Sequence, residues 1–320
     1  RNQSLNQNSN ERNNWTYWSN GRDNTGEINV HNMNRIFQNL KATASIHFDF
    51  NKDFNLQIPL RSITQITYVY RSDHLSRYKS YALGMRLMPP LSSALGTTFN
   101  VPDDYKEEFV TFGYLVNQRF EYKELAGISG GFRTDYSSSF GKGSKPFTFP
   151  RADGFFRISG LDFWNNSGIA KTIIEWKLRA AYGEAGIQPR PFDRYVTLGS
   201  RPIGNTNSLY IPADQNNPNL NVEVSKEFEV GTDMMLDGLD GNWLNNFQFS
   251  FSYWTRKTDN AIYRVDAPPS TGVGTILDNS VSLESDGIQA SLTASILKSS
   301  NWSWNLTTNF SKQQSLVAAV

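Results

Sequence analysis

A chain with no cysteine must find its chemistry in histidines, carboxylates and aromatics, and here the three histidines are scattered. His31, His47 and His74 have no neighbouring carboxylate and no second ligand at metal spacing, so they read as polar surface residues. The acidic pairs Asp103, Asp104 and Glu107, Glu108 have the charge to hold a cation. Asp and Glu are also favoured in a first helical turn, and the run DDYKEEF predicts a short solvated helix. Gly127, Gly130 and Gly131 do not cradle a phosphate, because they sit in a strand pattern with no helix after them. No catalytic residue, cofactor or metal is expected, and the chain does not read as an enzyme.

Ligand recognition suits these residues better. Sugars and peptides offer apolar faces beside hydrogen-bonding groups, which Trp and Tyr flanked by Asn, Asp and Gln can match. Trp15, Tyr17, Trp18 and Asn20 form one such group, and Tyr195, Tyr210, Asp214, Gln215 and Asn216 form another. Packing within the loops, or contact with a partner protein, would call for the same residue types. Glu227, Glu229 and Asp233 recur with a period of two and share the polar face of one strand.

The elements that must position these groups are strands. Phe247, Phe249, Phe251 and Tyr253 alternate with Gln248, Ser250 and Ser252. Ile288, Ala290, Leu292, Ala294 and Ile296 alternate in the same way with polar or small residues, and so do Trp302, Trp304, Leu306 and Phe310. Period two gives each strand one apolar and one polar face. Each run reaches the roughly nine to eleven residues that a tilted strand needs to cross a bilayer, beyond the usual five or six of a soluble strand. The polar faces carry Ser, Thr, Asn and Gln rather than many charges, as the lining of a watery lumen does. An amphipathic edge of a soluble sandwich would show the same alternation.

Composition narrows the classes. Over 320 residues the net charge is +1, which gives no reason to expect nucleic acid or a strongly acidic partner. No window approaches the roughly eighteen apolar residues of a transmembrane helix, so any membrane crossing is by strands. Arg1 opens into a polar run with no signal peptide, and Leu316 to Val320 do not form a closing aromatic strand. Together these features predict that both ends of a larger protein lie outside this chain.

Taken in order, residues 1–35 read as a long Asn-rich loop, followed by a stave over about 36–50. Asn51, Lys52 and Asp53 then read as a tight turn into a returning strand through Phe54, Leu56, Ile58 and Leu60, bulged at Pro59. Residues 71–108 read as a long connection. Further staves follow near 110–122, 126–134, 147–158, 173–182 and 228–234, ahead of the three described above. Short and long connections alternate, as periplasmic turns and external loops do in outer-membrane barrels; 160–172 is long for the periplasmic side. About ten strands with loops this size would form part of a wider all-β, antiparallel transmembrane barrel.

From Gly130 onward the chain resembles the SusC/RagA-like TonB-dependent transporters. GGFRTDYSSSFG before FTFPRADGFFRIS resembles the family's Arg-x-Asp-Gly-Ser-Ser-x-Phe-Gly and Phe-Pro strand, with Tyr136 in place of Gly. KLRAAYGEAGIQP carries Ala181 for Ser, and NPNLNVEVSKEFEVGTDMML carries Val222 for Trp. YWTRKTDNAI, APPSTG and NSVSLESDGIQ continue the family order, with Val281, Asp286 and Gln289 as departures. Residues before about 125 match in texture only.

The resemblance implies a 22-stranded barrel in a Bacteroidetes-type outer membrane, of which residues 1–320 would be a partial barrel domain, 1–35 being an extracellular loop. The plug and its TonB-contacting segment would lie outside the chain. A SusD-like surface lipoprotein would act as the lid, and glycans or peptides would be the cargo. Glu227, Glu229 and Asp233 would then face the lumen, toward plug arginines or substrate. A structural or adhesive outer-membrane barrel and a soluble carbohydrate-binding β-sandwich are the other readings open at this point.

Overall fold

The computed structural model describes residues 2–6, 26–85, 92–140, 146–238 and 241–319. They form fourteen strands: β1 (Asn2–Asn6), β2 (Gly26–Asp49), β3 (Leu60–Met85), β4 (Thr98–Tyr122), β5 (Ala126–Ser137), β6 (Phe147–Arg157), β7 (Ile173–Ile187), β8 (Gly199–Ile203), β9 (Thr206–Tyr210), β10 (Asp214–Gln215), β11 (Glu223–Asp237), β12 (Trp243–Asp266), β13 (Thr275–Lys298) and β14 (Ser303–Ala319). The α-helices among the described residues are single turns, α1 (Phe50–Phe54) and α2 (Asp162–Asn165). The chain divides into two units, Arg1–Leu40 with Tyr70–Thr111, and Lys41–Val69 with Phe112–Val320.

The larger unit is one open sheet in the order β2-β3-β4-β5-β6-β7-β11-β12-β13, with β14 and the short β10 both against β13. From β5 to β14 the long strands pair antiparallel, and register decides which side chains share a face. Phe228 and Val230 of β11 lie beside Tyr182 and Ala180 of β7 and beside Thr255 and Tyr253 of β12. Tyr253 and Phe249 in turn oppose Ile288 and Leu292. Among the described residues, no second layer covers this apolar face. Leu292 is 42% exposed and Leu306 51%, which removes the sandwich reading, where the same residues would meet in a dry interior.

The apolar face is bounded at both ends. Trp243, Trp302 and Trp304 are exposed at one end. At the other, a charged row crosses three strands: Lys226 bonds Asp259 at 2.9 Å, and Lys257 lies 4.0 Å from Asp259 and 3.5 Å from Glu284. Along β11 the stretch between these ends runs from Phe228 to Leu236. At about 3.3 Å per residue and a tilt near 45° this stretch rises roughly 20 Å, close to the apolar band of an outer-membrane barrel.

In the smaller unit the order is β1-β2-β3-β4, and here the structure corrects the sequence reading twice. Residues 1–35 are not loop throughout: Asn2–Asn6 pair with Glu27–His31, and β2 begins at Gly26. Nor are 71–108 a connection with a helix at DDYKEEF, because β3 runs to Met85, β4 starts at Thr98 and that run is strand. The cause is cross-strand charge. Asp103 meets Arg77 at 2.5 Å and Lys79 at 3.8 Å, and Arg35 forks onto Asp73. Paired charges on neighbouring strands hold such a strand without apolar alternation.

Turns supply further corrections. Asn51–Asp53 belong to α1, where the Asp49 carboxylate accepts from the amides of Asn51 and Lys52, and Asp53 accepts from the Asp49 amide. Phe54, Leu56 and Ile58 therefore precede the strand, which starts after Pro59. The β4–β5 hairpin is a two-residue turn with Lys123 and Glu124 at φ 46° and 58°, whose twist matches the flanking strands. The long 158–172 connection is folded around Trp164, which is 5% exposed, packs 5.6 Å from Trp176 and donates its indole N–H to the Ile173 carbonyl at 3.2 Å. Trp164→Ala is expected to cost about 3 kcal/mol through the cavity it leaves, while Trp164→Phe retains most of the packing. The heat-dependent gel shift of the folded barrel measures both.

Candidate functional site

The polar face of the larger unit carries a network of charges bound to one another. Arg179 of β7 ion-pairs with Glu229 of β11, lies 3.5 Å from Asp233, and donates to Ser252 Oγ of β12 at 2.5 Å. It reaches β12 by lying across Gly231, where an added Cβ would come within 2.8 Å of the guanidinium carbon. Asp233 also takes Lys177 at 3.2 Å and the Ser250 hydroxyl at 2.8 Å. Glu227 pairs with Arg256 at 2.5 Å, and that guanidinium sits 5.3 Å over the Trp254 ring. Trp254 is itself 8% exposed against Gly287. Glu227, Glu229 and Asp233 thus share a face as the sequence predicted, but each has a cation on an adjacent strand. Those countercharges are foreshadowed by Lys177 and Arg179, which alternate in KLRAA as the acids do in EFEVGTD.

Between β7 and β11 a loop folds back over one end of the same face. Val222, 2% exposed, packs on Phe149 of β6, with Leu220 also buried, and a Cβ on Gly186 would collide with Phe149. Asn279 of β13 accepts the Asn221 amide at 2.7 Å and donates to the carbonyls of Asn221 and Asn260. Asn260 has φ 58° beside an irregularity in the β12–β13 register. The Asn279 clasp and the Phe149 anchor were not foreseen, because nothing periodic marks either.

The loop divides the second group of sequence candidates by role. Asn216 donates its amide to the carbonyls of Phe192 and Tyr195 at 3.1 and 3.2 Å. Asp214 accepts from Thr275 at 2.6 Å, and Gln215 is buried, donating to the Pro212 carbonyl. The polar groups of all three are engaged within the fold. Tyr195 stays 58% exposed, edge-on to Phe192, and Tyr210, on the β8–β9 hairpin, is exposed under the Arg201 guanidinium. Trp15, Tyr17, Trp18 and Asn20 lie outside the described residues. Among the described residues, no His, Asp or Glu cluster could hold a metal ion.

Comparison with known proteins gives this wall a family. The profile of the family described as TonB dependent receptor-like, beta-barrel matches residues 1–318. TonB-dependent receptor P3 of Formosa agariphila is 26% identical over 221 residues, covering 67% of this chain and 21% of that protein. TonB-dependent receptor P26 of the same organism is 28% identical over 235 residues, covering 71% of this chain and 22% of that protein. The chain therefore spans about a fifth of the length of these curated relatives. Among solved structures, the RagAB peptide transporter superposes with a TM-score of 0.82 at 16% identity, over 99% of this chain and 33% of that chain. The RagAB peptide importer in its 'closed-closed' state gives 0.79 at 16% identity over 93% and 32%. Such low identity shows shared fold alone. The two-faced sheet is outer-membrane barrel wall, and the chain belongs to the TonB-dependent receptor-like β-barrel family.

Proposed function

We propose that this chain forms wall and loops of a TonB-dependent importer that carries a glycan or peptide across the outer membrane. One observation carries the reading furthest: the face opposite the apolar one holds a pre-paired charge network, from Arg157 and Glu175 through Lys177, Asp233, Arg179 and Glu229 to Glu227 and Arg256. A lumen emptied and refilled in each transport cycle needs charges that stay satisfied when its contents leave. The family match and the peptide-importing structural neighbours support the same reading.

In operation, external loops capture the cargo, a SusD-like surface lipoprotein closes over it, and a plug borne elsewhere in the protein blocks the lumen. Engagement of TonB moves that plug. Tyr195 and Tyr210 supply exposed rings for stacking on a sugar or peptide, while Asp214, Gln215 and Asn216 hold the loop that presents them. Glu227, Glu229 and Asp233 line the lumen and keep surplus acceptor capacity for plug cations.

Uptake of labelled glycan and peptide pools by cells carrying the full-length receptor, with and without TonB, tests the function. Ligand-specific uptake that disappears without TonB is expected; uptake unchanged by TonB loss, or none at all, refutes it and leaves an anchoring or adhesive barrel. Tyr195→Ala is expected to weaken cargo binding about tenfold, near 1.4 kcal/mol, with unaltered barrel stability. Asn216→Ala weakens binding as well, but through loosening of the loop, which faster proteolytic nicking between 188 and 222 would reveal. Arg179→Met leaves Glu229 and Asp233 short of a partner and is expected to lower barrel stability by about 1–3 kcal/mol, read from the heat-dependent gel shift.

A further inference from the structure

The β7–β11 loop bears one charge that the fold leaves unused. From 195 to 213 the chain is neutral except for Arg201, with no Asp, Glu, Lys or His in the stretch. The carboxylates that bracket it are engaged, Asp193 with the Arg190 amide at 2.9 Å and Asp214 with the Thr275 hydroxyl at 2.6 Å. Other arginines around the loop are spent on its carbonyls: Arg194 donates to Pro218 at 2.8 Å and Arg264 to Gln215 at 3.3 Å. Among the described residues, Arg201 has neither a carboxylate nor a carbonyl partner. Its exposed neighbours Ile203, Leu209 and Ile211 are apolar and cannot compensate the charge.

What Arg201 has is a ring. In the β8–β9 register Arg201 stands opposite Ser208 and Gly199 opposite Tyr210, so all four share one face of the hairpin. The Tyr210 ring lies across Gly199, where an added Cβ would collide with it, and the Arg201 guanidinium sits 5.2 Å from the ring centroid. A cation over a ring engages the π face and leaves its five N–H donors unspent. Holding a long side chain in this way removes part of the entropy that a free arginine loses on binding. The planar guanidinium matches a carboxylate with two parallel bonds, which no neutral sugar or amide can supply.

We infer that the cargo carries a carboxylate, a uronate in a glycan or an acidic or terminal carboxyl in a peptide, and that Arg201 receives it through a two-bond fork while Tyr210 positions the guanidinium. This specificity presupposes that the receptor is an importer.

Uptake by cells carrying the full-length receptor tests it, with labelled glycan and peptide pools offered untreated and after conversion of their carboxyl groups to neutral amides, which leaves sulfate and phosphate esters charged. TonB-dependent uptake is expected to fall about tenfold on amidation, in the glycan pool for a uronate and in the peptide pool for a peptide carboxyl. Arg201→Gln is expected to lower uptake of the untreated pool about tenfold, erasing its preference over the amidated one, and Arg201→Lys, with the charge but not the fork, falls between. Tyr210→Phe, which retains the ring, keeps the preference that Tyr210→Ala loses. A heat-dependent gel shift like that of the unaltered receptor confirms that the variants fold. Equal uptake of untreated and amidated pools overturns the proposal. So does an Arg201→Gln receptor that keeps the full preference, or one that loses uptake of both pools in equal proportion, which marks the hairpin as structural. TonB-dependent uptake from neither pool removes the importer reading, and the carboxylate specificity with it.

Discussion

A wall one sheet thick must satisfy two media at once, and backbone pairing with the neighbouring strands is what allows it. Inside a bilayer there is no water to take an unpaired N–H or C=O, so every strand depends on neighbours on both sides. The unbroken run from β2 through β13 meets that requirement along the sheet. Once pairing is secured, the period of two separates the media, placing Phe228, Tyr253 and Leu292 on one side and Glu229, Ser252 and Ser291 on the other.

The polar side then faces a different difficulty, because charges held on it would be costly to leave unpaired. Pairing is arranged across strands and not along them. Arg179 spans three strands because Gly231 offers no side chain to obstruct it, and Ser252 receives the guanidinium on the far strand. Asp233 gathers Lys177 and Ser250 from strands on either side of its own. Such a network rigidifies the wall.

Loop architecture follows the same economy. The β7–β11 loop is secured at its base by apolar burial of Val222 against Phe149 and by the Asn279 clasp. Its polar candidates are used as internal fasteners, and its tyrosines are left outward. In the binding role proposed for these rings, rigid presentation lowers the entropy lost when a ligand binds.

Within the sequence alone, the strands that cross the membrane were legible, because lipid on one side and water on the other impose alternation on residues 247–253, 288–296 and 302–310. The shared face of Glu227, Glu229 and Asp233 was legible for the same reason. The run DDYKEEF was not: it looks helical by local composition, and only the approach of Arg77 and Lys79 makes it strand. The partners of the acidic face and the anchoring of the loop also emerged only in three dimensions. Each depends on register between segments distant in the chain, and a local pattern carries no record of which residue of a neighbouring strand will stand opposite.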